Sequence, residues 1–287
     1  MRSGFSHIIL LVLIVVSASI VFVIIKSGLP FSKVIDYGQV DWDYIPRSMK
    51  VRWDFDNSLN KWIRTSNNKI VPKCDEPFII NSPVDLNLVS GILYPGQIRG
   101  TDYKPHGSFR FDDLVNNEVE VRAITEGYVK KVAKYEDEWS EQKLLFYVNP
   151  CGIMVMHDHL VDVSPKLQEL YDTIPLGENG DSRTTDVSDK DVKLEKGELI
   201  ATSVGYEYFP GGANDKNIFV DFGLYDLREE NGVIYSNELR SEHTNINEYG
   251  QYARCWLDYL SNKDGEYLSS LPPGGSEGSV SDYCDTI

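Results

Sequence analysis

The chain is 287 residues long, and its 41% hydrophobic and 11% aromatic content is enough to bury a substantial core, which excludes wholesale disorder. Lys and Arg total 28 against 44 Asp and Glu, a formal charge of −16. A body that acidic repels polyphosphate backbones, so no nucleic-acid partner is expected.

The first element is an apolar run. Residues 8–25 (IILLVLIVVSASIVFVII) carry no charge and would span about 27 Å as a helix, close to the thickness of a hydrocarbon core. The small residues Ser17, Ala18 and Ser19 lie in mid-run rather than after it, so residues 1–26 read as an uncleaved single-pass transmembrane anchor and not a removed signal peptide. Arg2 on one side and Lys26 and Lys33 on the other leave orientation undecided by charge. The cysteines decide it: Cys74, Cys151, Cys255 and Cys284 form an even set without a CxxC, which suggests two disulfides in an oxidising compartment. The expectation is a cell-membrane protein with its body on the extracytoplasmic side; four reduced thiols in a cytoplasmic body is the competing reading.

Residues 27–88 read as a stalk and an accessory region, rich in aromatics (Tyr37, Trp42, Tyr44, Trp53, Trp62) and broken by Pro30, Pro46, Pro72 and Pro83. Alternation from Lys50 to Phe55 predicts one strand there. Residues 89–230 contain many short β-rich segments bounded by turn residues: 119–124, 127–134, 143–148, 152–156, 199–204 and 217–225. That pattern predicts a mainly β domain of sandwich or barrel-like form. Ser164-Pro165 starts one helix, with Leu167, Leu170 and Tyr171 on a single face. The polar run 176–191 lacks EF-hand spacing among Asp181, Asp186, Asp189 and Asp191, and reads as a solvated loop. Residues 231–287 form an extension, with a helix expected over 249–260 and a Gly/Pro/Ser tail over 271–281. A Cys255–Cys284 bridge would hold that tail and leave Cys74 for Cys151, one of three possible connectivities.

The order of several phrases carries a resemblance. GQIRGTDYKPHGSFRFD (96–112) precedes a turn from Ala123 to Gly127, then HDHL (157–160), VKLEKGELIAT (192–202) and IFVDFG (218–223). Over about 130 residues this resembles the zinc endopeptidases of the LytM/lysostaphin type, the M23 peptidases, whose fold is the duplicated hybrid motif. In that family a His-x-x-x-Asp pair and the second His of a His-x-His strand hold zinc, and a mid-chain His-Leu assists catalysis. Here His106 matches the first ligand, but Arg110 stands where the Asp belongs, with Asp112 two residues further along the same strand face. Phe219 and Asp221 stand at the two His-x-His positions, and His159-Leu160 matches the His-Leu. Because His157 and His159 alternate, both rings are expected on one side of a strand.

Two readings of this constellation follow. A divergent zinc peptidase would use His106, Asp112 or Asp221, and His159, with His157 as a substitute proton shuttle. A metal-free domain would place the Arg110 guanidinium in the metal's position, paired with Asp221 or Asp112. The second is the expectation, with no cofactor. The domain would then bind a cell-envelope peptide or glycan, or regulate an envelope partner, through a groove lined by His106, Arg110, Asp112, His157, His159 and Asp221. A third reading is a structural module that docks through the aromatics of residues 37–62.

Overall fold

The computed structural model describes residues 51–65, 72–136, 138–177, 179–212 and 214–284. The anchor expected at 8–25 lies outside the described residues, as do Tyr37, Trp42 and Tyr44. Among the described residues no helix is long and apolar enough to cross a membrane.

The strands in chain order are β1 (Trp53–Asp56), β2 (Lys61–Arg64), β3 (Gly91–Leu93), β4 (Gln97–Arg99), β5 (Asp102–Lys104), β6 (Gly107–Arg110), β7 (Val121–Arg122), β8 (Gly127–Glu136), β9 (Glu141–Val148), β10 (Ile153–Leu160), β11 (Thr185–Asp186), β12 (Lys193–Leu194), β13 (Leu199–Ala201) and β14 (Phe219–Asp226). Eight of them form one large antiparallel sheet in the order β11-β8-β9-β10-β14-β6-β3, with β12 also on β8. The fold is therefore mainly β; of the sandwich or barrel-like form expected, the large sheet is not a closed barrel. Its β3 edge is covered by the tail instead: Gly274 donates to the Ile92 carbonyl (2.6 Å), and Ile92 to that of Pro272 (3.3 Å). Such cover blunts an edge that would otherwise offer unpaired backbone groups.

Period-two alternation sends side chains to two cores. One core takes Phe109, Leu145, Tyr147, Val155, Val220 and Phe222 from the sheet. Helix α1 (Pro165–Asp172) covers it with Leu167, Leu170 and Tyr171, as its spacing predicts. The other core takes Phe146, Met154, Met156 and Tyr225, packed against Trp62, with Trp53 and Phe55 alongside. Trp62 is thus buried, and Trp53 and Phe55 of the β1–β2 hairpin pack partly buried against the large sheet.

The helix expected over 249–260 is replaced by two 3-10 turns, Gly250–Tyr252 and Trp256–Tyr259, followed by a helix at Asn262–Ser269. The reason is tertiary. Arg254 N–H donates to the Leu224 carbonyl on β14 (2.8 Å), and Trp256 inserts beside Phe109 and Phe222, with ring centroids 4.8 and 5.5 Å apart. A continuous helix would forfeit both. The polar run at 176–191 is not wholly a loop, since β11 pairs with β8 and Asp186 bridges to Lys130 at 2.6 Å. Cys74 pairs with Cys151 and Cys255 with Cys284.

Candidate functional site

Three strands of the large sheet meet at Asp221. On β14 it faces Ser108 of β6 and Asp158 of β10. Along β10 the pairing with β9 slips: His157 faces Leu145, but Leu160 faces Lys143, so one extra residue is accommodated between them. His159 takes up the slack with φ +62, a left-handed conformation that few non-glycine residues adopt. The bulge turns both Asp158 and His159 toward Asp221. Regular alternation, which would have put His157 and His159 on one side, does not hold here.

The resulting cluster is compact. His106 Nε2 lies 2.9 Å from Asp221 Oδ2, and His159 Nε2 lies 3.8 Å from the same oxygen. The Ser108 hydroxyl donates to Asp221 Oδ1. Tyr135 donates to Asp158 Oδ1 at 3.0 Å, which also accepts the His159 backbone N–H at 2.7 Å, and the same phenol is 3.4 Å from His159 Nδ1. Side-chain exposures of 13% for His106, 10% for Asp221 and 19% for His159 leave the cluster nearly dry but reachable from the His159 side.

Burial alone would raise the Asp221 carboxyl; the charge of His106 and its hydrogen bond, then His159 and Arg99, outweigh burial and hold it well below the usual carboxylate range. Burial lowers His106 although Asp221 pulls it the other way. Those two directions ask opposite things of the His106 proton. The Asp221 charge is the firmer of the two, because Ser108 and Arg99 support it whichever way that proton goes. Burial raises Asp158 against the pull of His159.

The structure separates several residues that the motifs group together. Arg110 does not join the cluster. Its Nε and a terminal nitrogen grip the two Asp112 oxygens at 3.0 and 2.5 Å, and that nitrogen also reaches Asn217 Oδ1 at 3.2 Å. Asp112, so engaged, is not among the clustered donors, and the set His106, Asp112 and Asp221 is not brought together as metal ligands. The cation that does serve Asp221 is Arg99, which donates to the His106 carbonyl at 2.8 Å and is drawn to Asp221 electrostatically. His157 is fully buried, its ring beside Tyr147 and Phe222, and neither ring nitrogen has a hydrogen-bond partner. It cannot line a groove. Phe219 packs on His159 with ring centroids 4.3 Å apart. Arg99, Ser108, Tyr135 and Asp158 are the site residues the motifs did not single out; an acid flanked by two histidines in HDHL was the one available signal.

Asp158, His159 and Asp221 offer ligand atoms that all lie within 4.8 Å of one another. His106 Nε2 adds a fourth donor. That nitrogen is buried and lies 2.9 Å from Asp221 Oδ2. Imidazole nitrogens and carboxylate oxygens gathered this closely are the donor types that a zinc ion takes. The donor set fits zinc on that ground.

No family model matches the chain, and no curated protein does. Among solved structures it is similar to that of Helicobacter pylori Csd3, at a TM-score of 0.32 and 10% identity, over 67% of this chain and 39% of that one. The chain thus spans well under half of Csd3, and the likeness is too distant to carry a functional argument.

Proposed function

We propose that the chain is an anchored, outward-facing protein of LytM-like type that holds a divalent cation on His106, His159 and Asp221, with Asp158 beside them, and binds an envelope peptide or glycan without cleaving it. The observation that carries this reading is the one-residue bulge that aims Asp158 and His159 at Asp221, opposite the His106 nitrogen on the same carboxylate. A bound zinc ion would supply a Lewis acid toward a carbonyl or carboxylate oxygen of the ligand. The protein's own part is to orient that ion's ligands and to exclude water. Tyr135 fixes the His159 ring and Asp158 together, and Ser108 and Arg99 keep Asp221 anionic.

Hydrolysis needs a further group to move a proton to the leaving amine. Phe219 stands against His159 where the related peptidases carry a histidine, and His157 is sealed in the core. The site can therefore grip but lacks half of its proton relay. Two disulfides support a body in an oxidising compartment.

Elemental analysis of the full chain, purified in detergent, tests the metal half of the reading. Wild type is expected to retain about one zinc per chain and His106→Ala and Asp221→Ala to retain none, with unchanged circular dichroism. Incubation with cross-linked wall peptides tests the other half; newly released amines would refute a binding-only role. Arg99 favours a second, metal-free reading, in which a fixed cation does the ion's electrostatic work. In that case wild type carries no zinc, and Arg99→Gln destabilises the fold more than His106→Ala does.

A further inference from the structure

A second site lies between the β1–β2 hairpin and the Cys74–Cys151 bridge and shares no residue with the His106 cluster. It is a cavity of about 600 Å3 lined by Trp53, Arg64, Lys73, Glu76 and Arg228, together with Pro72 and the disulfide. Three cations against one carboxylate is unexpected in a chain of net charge −16. Arg228 is already satisfied, its Nε and a terminal nitrogen on the Asp226 carboxylate at 2.8 and 2.6 Å. For the side chains of Arg64 and Lys73, both exposed, no ion-pair or hydrogen-bond partner is found among the described residues, and both line the same partly walled space.

The aromatic wall is rigid rather than loose. Trp53 Nε1 donates to the Pro150 carbonyl at 3.4 Å, and its ring lies so close to Gly152 that a Cβ there would come within 2.8 Å of Cζ2. Gly152, at φ +106, also needs glycine for its backbone. Several cations beside a low-dielectric wall concentrate positive potential in the cavity. A guanidinium adds a bidentate fork suited to carboxylate or phosphate, an indole adds a flat apolar face, and the volume is in the range of small-molecule sites. Glu76 supplies an acceptor at the same wall.

We propose that this cavity binds an anionic sugar. The phosphate or carboxylate would lie on Arg64 and Lys73, the ring's C–H face on Trp53, and a hydroxyl would donate to Glu76. This inference does not rest on the metal reading and stands or falls separately.

Calorimetry on the full chain in detergent at low salt, with glucose 6-phosphate, glucuronate, glucose and inorganic phosphate as probes, is the test. At least one of the two anionic sugars is expected to bind, and whichever binds tighter assigns the anion. Glucose and inorganic phosphate should each bind about tenfold more weakly or not at all. Arg64→Ala and Lys73→Ala, both at exposed positions where the fold tolerates change, are each expected to weaken binding about tenfold. Trp53→Leu should remove the preference for the sugar over inorganic phosphate. Failure of both anionic sugars to bind, equal binding of inorganic phosphate, or unchanged affinity in the Arg64→Ala, Lys73→Ala double variant would each overturn the proposal. Zinc content is unaffected in these variants whatever the outcome.

Discussion

At His157 the imidazole is fully buried, and burial alone depresses it to a pKa of about 3. The unfolded chain holds that ring near its ordinary value of about 6.5. The native state thus binds fewer protons there than the unfolded state between those values, and stability present above pH 6.5 is lost as pH falls toward 3. His157→Leu removes this term: at pH 5 the variant's acid-induced loss is expected to be about 2 kcal/mol smaller than wild type's, read from urea midpoints at pH 7 and pH 5. Parallel losses in the two proteins would refute a neutral buried ring. A second residue-scale case borders the site. A Cβ at Gly107 would lie 2.2 Å from the Leu93 carbonyl oxygen and 2.9 Å from Trp256 Nε1, both held in place. Gly107→Ala is therefore expected to cost on the order of 3 kcal/mol, measured by the same midpoint, and to displace His106 next to it. His106, His159 and Asp221 were legible in the sequence through the resemblance of the surrounding phrases to the M23 peptidases. Arg99 and Tyr135 were not, because they arrive from other strands and belong to no local pattern.

Among elements, the β10 bulge and the tail matter most to the site. The bulge depends on His159 at φ +62, a region that Asn tolerates and a β-branched residue does not. His159→Asn and His159→Val both remove the imidazole and are both expected to lose zinc, but only His159→Val should also cost about 1–2 kcal/mol in strain. Equal stability of the two would mean that the bulge is not strained by side-chain identity. The tail clamps the β4–β5 hairpin that leads into His106. Gln97 donates to the Gly278 and Val280 carbonyls at 3.0 and 2.7 Å, Ser281 to that of Pro95 at 2.6 Å, and Tyr103 to Asp282 at 2.8 Å. The Cys255–Cys284 bridge closes this 29-residue span. Cys255→Ser with Cys284→Ser is expected to cost about 3–4 kcal/mol and to lower zinc retention by freeing the hairpin; full retention would separate the tail from the site. The same segment shows why element prediction failed at 249–260. The local sequence suits a helix, but β14 and the Trp256 pocket claim its backbone and side chains.

For the whole molecule, acidity and architecture pull apart. A net charge of −16 weakens the folded state by self-repulsion, while ion pairs such as Lys130 with Asp54 and Asp186 strengthen it. Because repulsion acts over distances comparable to the screening length and these pairs are partly buried, added salt should relieve repulsion more than it weakens the pairs. The melting temperature is expected to rise by a few degrees between low and physiological ionic strength; a fall would show that paired charges dominate. The mainly β class was legible from regular short strands with turn residues between them. Whether the sheet would close was not, because closure depends on strand tilt and stagger, which no single strand encodes.

Sequence alone determined the strand periods and the α1 face, which are written in nearest-neighbour spacing, and the net acidity, which is written in composition; the residue types of a metal-like constellation came from a resemblance in the order of phrases. Tertiary structure alone decided that Arg110 grips Asp112, that Arg99 faces Asp221 and that one extra residue in β10 turns Asp158 inward with His159. The physical reason is register: a slip of one residue between paired strands inverts which side chains share a face, and register is set by partners far away along the chain.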